Sequence, residues 1–582
     1  MNSLKPETRQ LEDPSRRELF EQLVPPDLGF YEPVRALRRP GTGSHQPEAD
    51  PDPPPFAIRV FSKAAYGPTA QDLADFAALG STDSERLVNW VVQQLHPSSI
   101  PDPVVALKLS SGGFTTLNKS LTQLFADHHV ADPPWQERIR PAYETSLATW
   151  IRAVHSRRQL FEVMVEFWHN HFNVYAWEFI TGPVWVHYDR DVIRAHALGN
   201  FRQLLEAVVR APAMLIYLNQ YESFAQNGAG YGNENFAREL LELYTLGAEV
   251  SYGSIPREQV PGWPNPQGYC EADVQDAARA LTGWTFDIDW VSWRWGGGNT
   301  GQFLTVDWSQ WNERIHSVEP KMVLGVSMPP NRTALQDGQH LLDILAQHPA
   351  TGRFIAKKLC RRLIGDVPPQ SLVDSAAALF TSLWQAPDQI AQVVQHILLS
   401  DAFQSTWGQK VKRPFEIVVS ALRAGNGNFP FTMLPADEPH VNAFHWFYEA
   451  GGQPMFGWAP PNGFPDVRGA WMSSNPRVAL WRTLHWFVEA DGNNQDRFFN
   501  IVQKTLASPA RSANEIVDFW IDQIYRRPLP LEDREFLVAF MAQGVNPDLD
   551  LPIHTNVWPS YLQDRLRTLV GLLFSAPEFY WR

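Results

Sequence analysis

Residues 161–174 read FEVMVEFWHNHFNV, and the reading of this stretch decides the fold. At about 100° per residue on a helix, Glu162, Glu166, His169 and Asn173 fall in one stripe roughly 60° wide. Phe161, Val163, Met164, Val165, Phe167, Trp168 and Phe172 cover the rest. A helix that is apolar nearly all round is a buried one. A buried carboxylate or imidazole is costly unless it is paired, hydrogen-bonded or metal-bound. This helix is therefore expected to carry two carboxylates and a histidine into an interior or cleft that satisfies them.

Residues 233–247, NENFARELLELYTLG, repeat the pattern. Asn235, Glu239 and Glu242 share one stripe, with Arg238, Glu234 and Thr245 beside it. Asn233 suits an N-cap, and Gly247 stands where a left-handed residue closes a helix. Two apolar helices with one polar stripe each predict stripes that face each other or share a cavity.

The pattern outside these helices is also mainly helical. Residues 69–96, 137–175, 189–226, 271–283 and 333–405 carry helical spacing and its stop signals. Residues 284–326 differ. Trp284, Trp290, Trp293, Trp295, Trp308 and Trp311 alternate with polar residues around GGGNTG, which predicts a β-hairpin. Residues 451–471, GGQPMFGWAPPNGFPDVRGAW, predict a long ordered loop rich in glycine, proline and aromatics. Residues 1–55, proline-rich and polar, read as an extended arm or linker. The expected architecture is mainly α: one large multi-helix unit over 56–582, with a Trp-rich β insertion over 283–326 and the 451–471 loop. No repeat with a period of about 20–50 residues is present.

Composition narrows the function classes. The 582 residues are 44% hydrophobic, 12% aromatic and 19% charged, which describes a chain with a large core. With 49 Lys and Arg against 63 Asp and Glu, the net charge is −14. Nucleic acid and anionic membrane surfaces, which select basic proteins, are poor partners for it. Cys270 and Cys360 are the only cysteines, too few for a disulfide framework or a cysteine-based metal site, although one bridge between them is left open. No apolar run reaches the ~18 residues that span a bilayer. Arg16 and Arg17 are followed by Glu18 and by no apolar run, so an export signal is not expected, and a cytoplasmic location is.

Seven motifs together resemble the bacterial domain-of-unknown-function family numbered 1800. They are FSKAAYGPTAQDLADFAALG, FWHNHFNV, APAMLIYLNQ, NENFARELLELYTLG, DVQDAARALTGW, HPATGRFIAKKL and GQPMFGWAPPNGFPD, in that order over about residues 60–480. The resemblance brings no established activity. It implies relatives that are often exported and often stand beside a second family similar to sulfatases and phosphatases. Envelope or polysaccharide chemistry, and the cell envelope as an alternative location, follow from it as expectations. The chain departs from the family pattern at His316: where the family has His-Asp-x-Gly-x-Lys, it reads His316-Ser317-Val318-Glu319-Pro320-Lys321.

Glu166, His169, Glu239 and Glu242 are the candidate catalytic residues. The Glu-x-x-His spacing of Glu166 and His169 puts both on one face, as helical-bundle di-metal sites require, but those sites use two such motifs on two helices. This sequence has one, plus Glu-x-x-Glu at 239–242. A single metal on His169, Glu166 and Glu239 is equally consistent, and such a site suits iron or manganese and oxidative chemistry. Trp168, His171, Arg238, Trp284, His316 and Trp458 are the candidate substrate-binding residues. His171, on the apolar side, otherwise reads as a core histidine on a backbone carbonyl. The tryptophans read either as a sugar-stacking platform or as a cap on the core. His340 and Asp337 read as a surface pair. The leading expectation is a metal-dependent oxidoreductase. One alternative is a metal-free acid–base enzyme, a hydrolase or lyase acting on a glycan. The other is a non-catalytic assembly or carrier protein with a buried polar network and a protein partner. No nucleotide-cofactor motif is present.

Overall fold

The structure is a computed structural model that describes residues 53–582 except 231, 289–297, 307–314, 494 and 555–560. The proline-rich arm and five of the six tryptophans of the 284–311 segment lie outside the described residues. The fold is mainly α, 58% helix against 4% strand. Trp284–Phe286 pairs antiparallel with Phe303–Thr305, and Lys321–Val323 with Val326–Met328. Among the described residues, no helix is long and apolar enough to cross a membrane. Cys270 and Cys360 are separate buried thiols.

Local chemistry sets the helix boundaries. Thr69, Thr82 and Thr333 begin their helices with reciprocal capping boxes to Asp72, Glu85 and Gln336. The expected helix over 137–175 is two helices, Arg140–His155 and Gln159–His171. Ser156 turns extended between them, and its hydroxyl donates to Asp102 at 2.6 Å. The expected helix over 189–226 is also divided. Asn200 caps Phe201–Arg210, and Pro212, with no N–H to give, starts Pro212–Tyr217.

Among the described residues, three short π-helical segments interrupt the α pattern: Ala126–Val130, Tyr188–Arg194 and Leu240–Thr245. Such widened turns re-aim side chains and are frequent at functional sites. The third alters the expected 233–247 helix. Asn233 caps it as read, accepting from Phe236 N at 3.0 Å, and Gly247 ends it at φ +96°. The α-helix stops at Glu239, however, so the stripe drawn at 100° per residue does not continue to Glu242.

The packing forms two hydrophobic cores. One gathers residues from 60 to 403, and the other joins Arg140–His155 to helices from Pro414–Ala424 to Tyr561–Ser575. Gln159–His171 serves both: Leu160, Met164, Val165, Phe167 and Trp168 belong to the first core and Val163 to the second. This central helix therefore lies along the seam between the cores, which is where its polar stripe is exposed to other polar groups.

Candidate functional site

Each polar residue of the central helix has its own partner. Glu162 accepts two bonds from Arg194 Nη2, at 2.6 and 2.7 Å. Glu166 Oε2 accepts from Arg413 Nη2 at 2.6 Å, with Arg362 Nη2 at 3.7 Å. His169 Nε2 lies 2.9 Å from Asp189 Oδ1. Asp189 and Arg194 both come from the π-helical segment Tyr188–Arg194. Burial pushes the Asp189 carboxyl up, but Arg194, the His169 bond and Arg152 outweigh it and hold its pKa at about 2. Asp189 is therefore ionised, and it orients the His169 ring by accepting from its Nε2–H.

Behind Glu166 lies a buried charge cluster. Glu416 Oε1 accepts from Arg362 at 2.7 Å and from Arg582, and Oε2 accepts from Arg413 N at 2.9 Å. Lys410 bridges Asp366 at 3.1 Å and Asp466 at 2.9 Å. Arg362, Arg413, Arg582 and Lys410 thus face Glu166, Glu416, Asp366 and Asp466, four cations against four carboxylates. Burial opposes ionisation of Glu416, and the three guanidiniums overcome it, holding its carboxyl well below the usual range.

The 451–471 loop closes over the stripe. Asn170 holds Phe464 at both ends, donating to its carbonyl at 2.9 Å and accepting from its N–H at 2.7 Å. Asn173 donates to Trp458 O at 2.9 Å and Pro460 O at 2.7 Å. Trp177 donates to Met455 O at 3.0 Å, and Tyr217 to Ala459 O. Phe456 adopts φ +54°, a left-handed conformation that bulky residues avoid. Its ring lies 5.0 Å from those of both His169 and Trp185, and Ala176 N donates to its carbonyl at 3.1 Å.

A pocket with about 50 Å³ open to water remains beneath this loop. Glu166, His169, Tyr448 and Gln453 are among its polar lining residues, with Tyr66, Thr149, Glu162, Asn170 and Asn173, and Val165, Phe415, Phe456 and Phe464 are among its apolar walls. With Nε2 given to Asp189, the other ring nitrogen of His169 has no partner among the described residues. A wider groove of about 1150 Å³ lies beside Pro349–Leu363, and its charged groups are paired. There Lys357 pairs with Glu249, Arg353 with Asp374, and His348 bonds Pro266 O.

The structure does not join the two stripes. The central helix meets the 240–245 segment through His171, whose Nε2 lies 3.1 Å from Tyr244 O, as the core reading of His171 expects. Its Nδ1 lies 2.8 Å from Lys358 Nζ. Glu239 and Glu242 are half-buried and bond neither Glu166 nor His169 among the described residues, and burial, then Glu242, raises the Glu239 carboxyl. Arg238 is spent on Glu271 at 3.0 Å. The ligand set His169, Glu166 and Glu239 is therefore not assembled. Among the described residues, no three His, Cys, Asp or Glu side chains gather as metal ligands.

Of the expected substrate contacts, four are core residues, His171 among them. Trp168 donates to Ala197 O at 2.9 Å and Trp284 to Ala334 O at 2.8 Å, and His316 is fully buried. Trp458 is half-buried on the loop, its indole bonded to Asn462 at 2.9 Å. Asp337 is not at the surface as read: it is fully buried between His316 Nε2 at 3.3 Å and Lys321 Nζ at 2.7 Å. The His316 and Lys321 pair thus keeps a shared carboxylate, supplied from another element.

Sequence reasoning missed Asp189, Arg413, Glu416, Tyr448 and Gln453. One signal was available: Lys410, Lys412 and Arg413 stand directly before the apolar helix PFEIVVSAL, and charges placed there imply buried partners.

A family model described as "Protein of unknown function (DUF1800)" matches residues 59–581. No match is found among curated proteins or among solved structures.

Proposed function

The chain belongs to the DUF1800 family, and we propose that it is a metal-free acid–base enzyme working through the His169–Asp189 pair. The observation that carries this is the orientation of His169. Its Nε2–H is held on an ionised, buried Asp189 at 2.9 Å, and the ring lines the pocket with its second nitrogen unbonded among the described residues. A base oriented by a carboxylate, within reach of a ligand, is the arrangement general-base catalysis needs. Nδ1 would take a proton from a substrate hydroxyl or a water, and Asp189 would stabilise the imidazolium that forms. Glu166, tied to Arg413, would set the local field without itself accepting a proton. The Tyr448 phenol, raised far above its ordinary range by burial, would remain a donor.

Metal-dependent oxidation has less support. Glu166 is held by Arg413 and His169 by Asp189, so a metal would have to displace both partners. Stoichiometric iron or manganese that disappears in His169→Ala would reinstate that reading. The non-catalytic reading is supported by the ion-paired Glu162 and Glu166, which have the character of packing residues.

Turnover on a panel of chromogenic glycosides, esters and phosphoesters tests the proposal. His169→Ala and Asp189→Asn should each lower the rate by about 10²-fold or more while the protein stays folded. His96→Ala, at an exposed histidine, should leave it unchanged. Activity that survives His169→Ala overturns the proposal. So does an inert protein whose His169 reacts with diethyl pyrocarbonate no faster than the buried His171.

A further inference from the structure

The pocket beside His169 carries more hydrogen-bonding capacity than the protein uses. The Tyr448 hydroxyl is buried, at 1% exposure, and has no hydrogen-bond partner among the described residues. Gln453 gives its Oε1 to Phe415 N at 3.0 Å, and its amide nitrogen is uncommitted in the pocket lining. Glu166 meets Arg413 through Oε2 only. Buried polar groups are kept unpaired only where something else meets them.

We infer that Tyr448 and Gln453 form the recognition half of this pocket, and that its ligand is an uncharged vicinal diol, the end of a sugar or polyol. The inference rests on the acid–base reading only for the role of His169. One hydroxyl of the diol donates a hydrogen bond to His169 Nδ1, and the neighbouring oxygen accepts from Tyr448 and Gln453. The ligand is uncharged because the charged groups nearest the pocket are already paired, Glu166 with Arg413 at 2.6 Å and Glu162 with Arg194 at 2.6 Å, and a further buried charge would have no counter-ion. It is an end group because about 50 Å³ holds only about three or four water-sized atoms. Phe415, Phe456 and Phe464 supply flat apolar walls suited to the C–H face of such a group.

Saturation-transfer NMR on the full chain tests this with glycerol and methyl glucoside as neutral diols, and glycolate and ethanolamine as charged probes of similar size. Both neutral probes should bind if the pocket takes any diol end, and the glucoside alone if it takes only a sugar. Tyr448→Phe, which removes an unpaired hydroxyl and should fold normally, should weaken binding by about tenfold or more. Gln453→Glu, which keeps the acceptor for Phe415 N, should do the same. Unchanged affinity in both variants, equal binding of the charged probes, or no transfer to any diol (a pocket that holds water only) overturns the inference. Diol binding in a protein whose turnover survives His169→Ala would sink the catalytic reading and leave this one standing. Lost turnover in His169→Ala with unaltered diol affinity in Tyr448→Phe would do the reverse.

Discussion

Glu416→Gln should be among the most damaging single changes available to this protein. Glu416 is 2% exposed, and it is the shared acceptor of Arg362, Arg413 and Arg582, each 1% exposed. Removing its charge leaves Arg362 and Arg413 facing Glu166, and Arg582 with Asp466 as its remaining carboxylate. Burial already lowers the Arg582 guanidinium to about 10 despite Glu416. Breaking a buried ion pair from one side costs about 3–5 kcal/mol. With a urea slope of about 3 kcal/mol per molar for a large chain, the unfolding midpoint should fall by about 1 M or more. Asp75→Asn is the control, because the Arg157–Asp75 pair has side chains 52% and 42% exposed. Exposed pairs contribute about 0–1 kcal/mol. Adding Arg582→Met to Glu416→Gln should recover part of the loss by rebalancing the cluster. Midpoints of Glu416→Gln and Asp75→Asn that coincide would refute the claim that this cluster is dry and mutually dependent.

Gly463→Ala should detach the loop from the central helix. Gly463 sits at φ +72°, and an added Cβ would lie 2.0 Å from Asn170 O. Amide exchange at Phe464, whose N–H donates to Asn170 at 2.7 Å, should then accelerate; exchange at the wild-type rate would contradict the close approach. A second expectation concerns acid. Because the folded Asp189 pKa is depressed to about 2, its contribution is present above the ordinary aspartate value and is lost as pH falls from about 4 toward 2. Asp189→Asn should flatten the acid limb of the stability curve by about 2 kcal/mol, and an identical acid limb would show that Asp189 is not held this way.

The central helix was legible because its polar residues recur at helical spacing on an otherwise apolar surface. Its burial and the need to satisfy Glu162, Glu166 and His169 followed directly from that pattern. The identity of their partners did not. Periodicity reports which side of a helix is polar, and it says nothing about which distant segment meets that side. Two polar stripes suggested each other, whereas the partners are an aspartate and an arginine on a widened helical turn, arginines from other elements, and a loop. The π-helical segments were also hidden, because a single wide turn leaves no mark in a 100° pattern, and one of them carries Asp189. The 451–471 loop was legible as ordered from its glycine, proline and aromatic content. Its attachment to Asn170 and Asn173 was not, since a carboxamide on a helix carries no sign of the backbone it will bind.

Arg413 follows Glu166 by 247 residues in the chain. At a ribosome adding about 5–20 residues each second, the glutamate emerges on the order of 10 to 50 s before its arginine exists. Phe464, which Asn170 holds, is made later still, 294 residues on. Throughout that interval the nascent helix has its apolar surface ready to pack and its carboxylate without a counter-charge. The first core therefore has to wait at the seam, partly assembled, until the second half of the message has been read.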